Sequence, residues 1–129
     1  MNFSLNDGGR EAAGLEPTHG ACAVRAIAIA TGIPYQTVWD SLYAICKEQD
    51  PNHSGTAVDE LALNAYMKTL GWQWQELDQQ LTLEQLPKEG VYVVMIPGHL
   101  AALVNGYWTD TQDTSQDGRA RPYGYFFKK

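Results

Sequence analysis

Apolar residues change their period once along this chain, near Gly71, and the change separates a helical half from a strand half. Before it, residues 1–20 are rich in Gly, Asn, Asp and Pro and read as an extended, loop-like entry. The run ACAVRAIAIAT from Ala21 to Thr31 is apolar nearly all round, with Arg25 its only charge, which predicts a helix buried at the centre of the domain. Gly32 suits the position after its last turn. Pro34 can open a second helix, whose residues Tyr35, Val38, Trp39, Leu42, Ile45 and Cys46 follow the i, i+3, i+4, i+7 spacing of one buried face. Thr56, with Asp59 three residues on, predicts the start of a third helix that ends before Gly71. Val58, Leu61, Ala62, Ala65, Tyr66 and Leu70 are its apolar residues.

After Gly71 the pattern alternates. Trp72 and Trp74 fall on one face of a short strand, Gln73 and Gln75 on the other. Thr82 and Gln85 mark a single helical turn ending at Pro87. Gly90–Ile96 is a continuous β-prone run and predicts a central strand. His99–Val104 and Tyr107–Thr111 follow as two strands joined by Asn105-Gly106, the strongest short-range hairpin signal. A polar loop, Gln112–Arg121, leads to a last strand at Tyr123–Phe127. Helices first and an antiparallel sheet second make an α+β domain. A length of 129 residues suits one domain, residues 1–129, around one core.

Composition narrows the function. A hydrophobic content of 44% is that of a globular protein. The net charge of −6, with nine basic residues scattered along the chain, excludes a nucleic-acid-binding or anionic-membrane-binding patch. No apolar run approaches the roughly 20 residues of a membrane span, and MNFSLNDGGREAAG lacks the basic and apolar regions of a signal peptide. A cytoplasmic location is expected, and with it no structural disulfide between the two cysteines.

The candidate chemistry lies in the order Cys22, His99, Asp110. A thiol is a poor nucleophile until it loses its proton, which needs a base and positive charge nearby. The start of a helix supplies part of that charge, an imidazole the rest, and a carboxylate behind the imidazole sets its tautomer. With Asn105 and Gly106 as a two-residue turn, Val104 pairs with Tyr107 and Ala101 with Asp110. His99 then lies opposite Gln112 and diagonal to Asp110, all on one face, with Asp113 on the other. Cys46 belongs to the buried stripe of the second helix and reads as inert core. His19 and Cys22 have H-x-x-C spacing, but without a C-x-x-C pair no metal or other cofactor is expected. His53, in DPNHSGT, reads as a solvated loop residue. Gly8-Gly9 lacks the spacing of a phosphate-binding loop.

At these residues the chain resembles a small papain-like cysteine peptidase domain. More closely, it is similar to short proteins of phage and bacterial genomes with a DGGR stretch, a C-x-x-R-A-I-A-I-A-T helix, a P-Y turn and a late G-H…D-T…Y-G-Y pattern. Those pieces stand at Asp7–Arg10, Cys22–Thr31, Pro34-Tyr35, Gly98-His99, Asn105-Gly106, Asp110-Thr111 and Tyr123–Tyr125. The resemblance implies a papain-like fold, with N-terminal helices packed on a C-terminal antiparallel sheet. It also implies a thiol-dependent amide hydrolase or acyl-transfer enzyme, a peptidase, deamidase or isopeptidase acting on a protein or peptide. The chain departs from the pattern twice: Ala21 stands where Asp is expected before the cysteine, and residues 16–21 (EPTHGA) lack the upstream oxyanion-binding glutamine. The Cys22 amide with Asn6, Thr18 or His19 are the alternative donors, Gln112 a secondary candidate, and Trp72, Trp74, Trp108 and the Gln112–Arg121 loop candidate walls of a substrate groove. The competing expectation is a catalytically weak papain-like binding module, such as a phage-encoded inhibitor of a host protein acting in the host cytoplasm, or a binder of a small ligand.

Overall fold

A computed structural model describes residues 2–6, 8–9, 21–49, 60–78 and 80–128. Its elements are, in chain order, strand β1 (Asn2–Leu5), helices α1 (Ala21–Thr31), α2 (Tyr35–Gln49) and α3 (Glu60–Thr69), then strands β2 (Trp72–Glu76), β3 (Val91–Ile96), β4 (His99–Val104), β5 (Tyr107–Asp110) and β6 (Gly124–Lys128). A single 3-10 turn at Leu83–Gln85 precedes β3, with the Thr82 N–H donating to the Gln85 side chain at 2.8 Å. The expected start of α3 at Thr56, and His53, lie outside the described residues.

The sheet has six strands in the order β1-β5-β4-β3-β6-β2. It is mixed, which corrects the expected purely antiparallel sheet. Residues 2–5 are not part of a loop-like entry: they form an edge strand parallel to β5, with Asn2 opposite Tyr107 and Leu5 opposite Asp110. A four-residue stretch reading NFSL carries no alternation long enough to register as a strand. Its pairing comes from the open edge of β5, whose backbone groups need partners. The other pairs are antiparallel.

The expected hairpin forms with Val104 opposite Tyr107 and Leu103 opposite Trp108. Asn105 (φ 49°) and Gly106 (φ 86°) both adopt positive φ, as a two-residue turn matched to strand twist requires. Asn105 is also tied to the start of β3, its N–H donating to the Gly90 carbonyl at 2.8 Å and its side chain accepting from the Gly90 N–H at 3.1 Å.

Two apolar clusters cover the two faces of the sheet. On one, Ala23, Val24, Ala26 and Ile27 of α1 pack with Val38 and Leu42 of α2, Leu63 and Met67 of α3, and Val93, Leu100 and Phe126 of the sheet. The apolar run of α1 is central, as expected. On the other face Val94, Ile96, Ala101, Leu103 and Trp108 are covered by Leu83, Leu86 and Ala120. The 112–121 loop is therefore a lid on this second core, with Ser115 and Ala120 buried, rather than a groove wall. None of the described helices is long and apolar enough to cross a membrane.

Candidate active site

Helix α1 begins at Ala21, which puts the Cys22 N–H in the first turn, where amides have no acceptor within the helix. Cys22 is half-buried there, whereas Cys46 is buried. The end of the sheet that faces this helix start holds His99, the first residue of β4, and Asp110, the last of β5. The β4–β5 pairing ends at Ala102–Thr109, so His99 and Asp110 both stand just beyond the last paired residues of the hairpin. That placement brings the His99 Nε2 within 2.5 Å of the Asp110 Oδ2. With Nε2 so engaged, Nδ1 is the ring nitrogen left for the thiol, and the His99 side chain and Cys22 are hydrogen-bonded.

Asp110 is held on three sides. It is 2% exposed, and its Oδ1 accepts the Arg25 Nε–H at 2.8 Å and the Thr111 N–H at 2.7 Å. Arg25 lies three residues beyond Cys22, one turn along the same side of α1. The turn at residues 8–9 packs on the helix at this point: a Cβ on Gly8 (φ +70°) would lie 3.0 Å from the Arg25 carbonyl oxygen. Sequence reasoning noted Arg25 as the lone charge of the buried run without giving it a role. The signal was available, since a charge in an all-round apolar helix needs a buried partner.

These contacts order the protonation states. Burial pushes the Cys22 thiol up, but the His99 side-chain hydrogen bond, the Leu100 backbone amide and the charges of His99 and Arg25 carry it below its ordinary value. The Asp110 hydrogen bond, then the Cys22 hydrogen bond, raise His99 from 6.5 to about 9 against the opposing effect of burial. Burial also pushes the Asp110 carboxyl up, and His99, the Thr111 amide and the Arg25 charge together hold it below its ordinary value. The arrangement favours a thiolate beside an imidazolium, a nucleophile paired with a proton donor. The Leu100 amide is a second contact that residue patterns did not reveal.

The remaining candidates separate. Asn6 stands next to the Asp110 end of β5. Its N–H donates to the Asp110 carbonyl at 2.9 Å and its side-chain oxygen accepts the Gly8 N–H at 2.8 Å. Gln112 lies beyond the end of β5, exposed, with no side-chain bond to His99, because the β4–β5 pairing stops at Thr109. Asp113 accepts from the Ser115 amide and hydroxyl within its own turn. Trp108 is fully buried in the second core, its indole N–H donating to Thr114 at 2.9 Å, so it lines no groove. Trp72 is mostly core, whereas Trp74 is half-buried and lines a cavity with Glu76, Met95 and Tyr123. Thr18 and His19 lie outside the described residues. Among the described residues, no group of three His, Cys, Asp or Glu side chains is placed to hold a metal ion. The chain matches none of the protein-family models, curated proteins or solved structures compared with it.

Proposed function

We propose that this chain is a thiol-dependent amide hydrolase with Cys22 as nucleophile, His99 as acid and base, and Asp110 as the group that orients His99. The observation that carries this reading is one imidazole hydrogen-bonded to Cys22 and, through Nε2, to a buried carboxylate. The order of the elements, with a cysteine at the start of the central helix and the base on a later strand, supports a papain-like arrangement. The Cys22 thiolate attacks an amide carbonyl, forming a C–S bond as the carbonyl π pair moves to oxygen. The Cys22 N–H, free of the helix ladder, donates to that oxyanion. As the intermediate collapses the C–N bond breaks, and the leaving amine takes the proton from His99. Water then attacks the thioester and gives a proton to His99. The C–S bond breaks, releasing the carboxylic acid, and the thiolate–imidazolium pair is restored. Substrates are peptides or proteins with a carbonyl that can reach the end of the sheet.

Iodoacetamide at neutral pH, with peptide mapping, tests the first step. Cys22 is expected to be alkylated far ahead of Cys46, and His99→Ala to slow it. Equal rates at the two thiols, or an unchanged rate in His99→Ala, would overturn the reading in favour of a binding scaffold. Hydrolysis of fluorogenic peptide amides tests the full cycle. The Cys22 amide is the one oxyanion donor identified among the described residues, and loss of one donor of two costs roughly 100- to 1,000-fold in rate, so long incubations are the appropriate assay.

A further inference from the structure

A cavity of about 250 Å³ lies between α3 and the end of the sheet, lined by Leu63, Asn64, Trp74, Glu76, Met95, Tyr123 and Phe126. Strand register places it beside the nucleophile. Leu100, whose amide contacts Cys22, pairs with Met95, Met95 with Gly124, and Gly124 with Glu76. One row across the sheet thus runs from Leu100, under Cys22, to the cavity, which begins about one strand spacing, some 5 Å, from Leu100. Its volume is below the range of pockets that enclose whole ligands and suits a single side chain.

The lining specifies which side chain. Trp74 and Phe126 form an aromatic wall, ring centroids 4.8 Å apart. Trp74 can lie across β6 because Gly124 has no Cβ; one there would stand 2.5 Å from the Gln75 carbonyl oxygen and run into the indole. The indole N–H donates to the Glu76 Oε2 at 2.7 Å, which fixes the carboxylate at the rim. The second Glu76 oxygen has no partner among the described residues, and no cationic side chain is among those lining the cavity. An aromatic wall ending in a carboxylate fits an apolar stem with a cationic head, through cation–π attraction and an ion pair.

We propose that this cavity receives a lysine or arginine side chain of the peptide whose carbonyl is presented to Cys22, so that the substrates are basic peptides. The inference rests on the amide-hydrolase reading above, and the test separates the two. Second-order inactivation rates are measured for a matched set of acetyl-dipeptidyl acyloxymethyl ketones carrying lysine, norleucine or glutamate at each position in turn. At one position lysine is expected to react at least 10-fold faster than norleucine, with glutamate slowest. Glu76→Gln, which keeps an oxygen for the Trp74 indole, is expected to bring the lysine-to-norleucine ratio close to one, and Glu76→Lys to reverse the order of lysine and glutamate. These ratios cancel any change in the amount of active protein. A ratio near one in the native chain, or a ratio unaffected by Glu76→Gln, while iodoacetamide still selects Cys22, would overturn the basic-side-chain site alone. No reaction with any peptidyl probe would overturn the peptide-hydrolase reading together with it. Loss of that selectivity for Cys22 would overturn the hydrolase reading beneath it.

Discussion

A guanidinium in the middle of ACAVRAIAIAT must leave water to sit on a buried helix, and only a carboxylate within reach offsets that loss. Arg25, 8% exposed, finds it in Asp110. The same ion pair leaves Oδ2 of Asp110 for His99, so one residue of α1 anchors the carboxylate that holds the His99 imidazole on β4. Arg25→Met should therefore do two things. Breaking a buried pair by removing one partner costs about 3–5 kcal/mol, which urea unfolding would register. The loss of a cation that lowers the Cys22 thiol should also shift the acid limb of its iodoacetamide labelling to higher pH. A purely structural arginine would change stability and leave that limb where it was.

At the scale of elements, the hairpin is the part of the site that residue patterns specified. Asn105 and Gly106 supply positive φ, the turn then has two residues, and the register it sets brings the His99 and Asp110 ends of β4 and β5 together. A one-residue slip would have put Asp113 there instead. The edge strand β1 was not legible, because parallel pairing is a property of the open edge of β5 and not of NFSL. Gly124 in the Tyr123–Tyr125 stretch has a tertiary reason for being glycine: the Trp74 ring and the Gln75 carbonyl occupy the space of a Cβ. Gly124→Ala is expected to cost about 1–3 kcal/mol through overpacking. A lowered urea midpoint with an unchanged m-value would show this, whereas an unchanged midpoint would mean that β2 shifts freely.

For the whole molecule, the Cys22–His99–Asp110–Arg25 network couples stability to pH. His99 is raised from 6.5 to about 9, so its contribution is complete below pH 6.5 and is lost as pH rises through about 9. Asp110 is held below its ordinary 3.8, so its contribution is complete above that pH and is lost on further acidification. The gap in melting temperature between the native chain and Asp110→Asn should be widest between pH 3.8 and 6.5 and should narrow towards pH 9 and towards strong acid. A gap that does not vary with pH would mean that Asp110 acts by packing alone.

The sequence by itself determined the division into helices and sheet, the burial of α1 and Cys46, and the pairing of His99 with Asp110. Each of these follows from local periodicity or from a turn whose backbone angles two adjacent residues dictate. Tertiary structure decided the rest. It buried Trp108, opened Trp74 to a cavity, turned the 112–121 loop into a core lid, and tied the Asn6 backbone to Asp110. It also gave Arg25 its partner 85 residues along the chain. An aromatic or charged side chain has the same sequence signature in a core, a groove or an ion pair, and its role depends on which distant element folds against it.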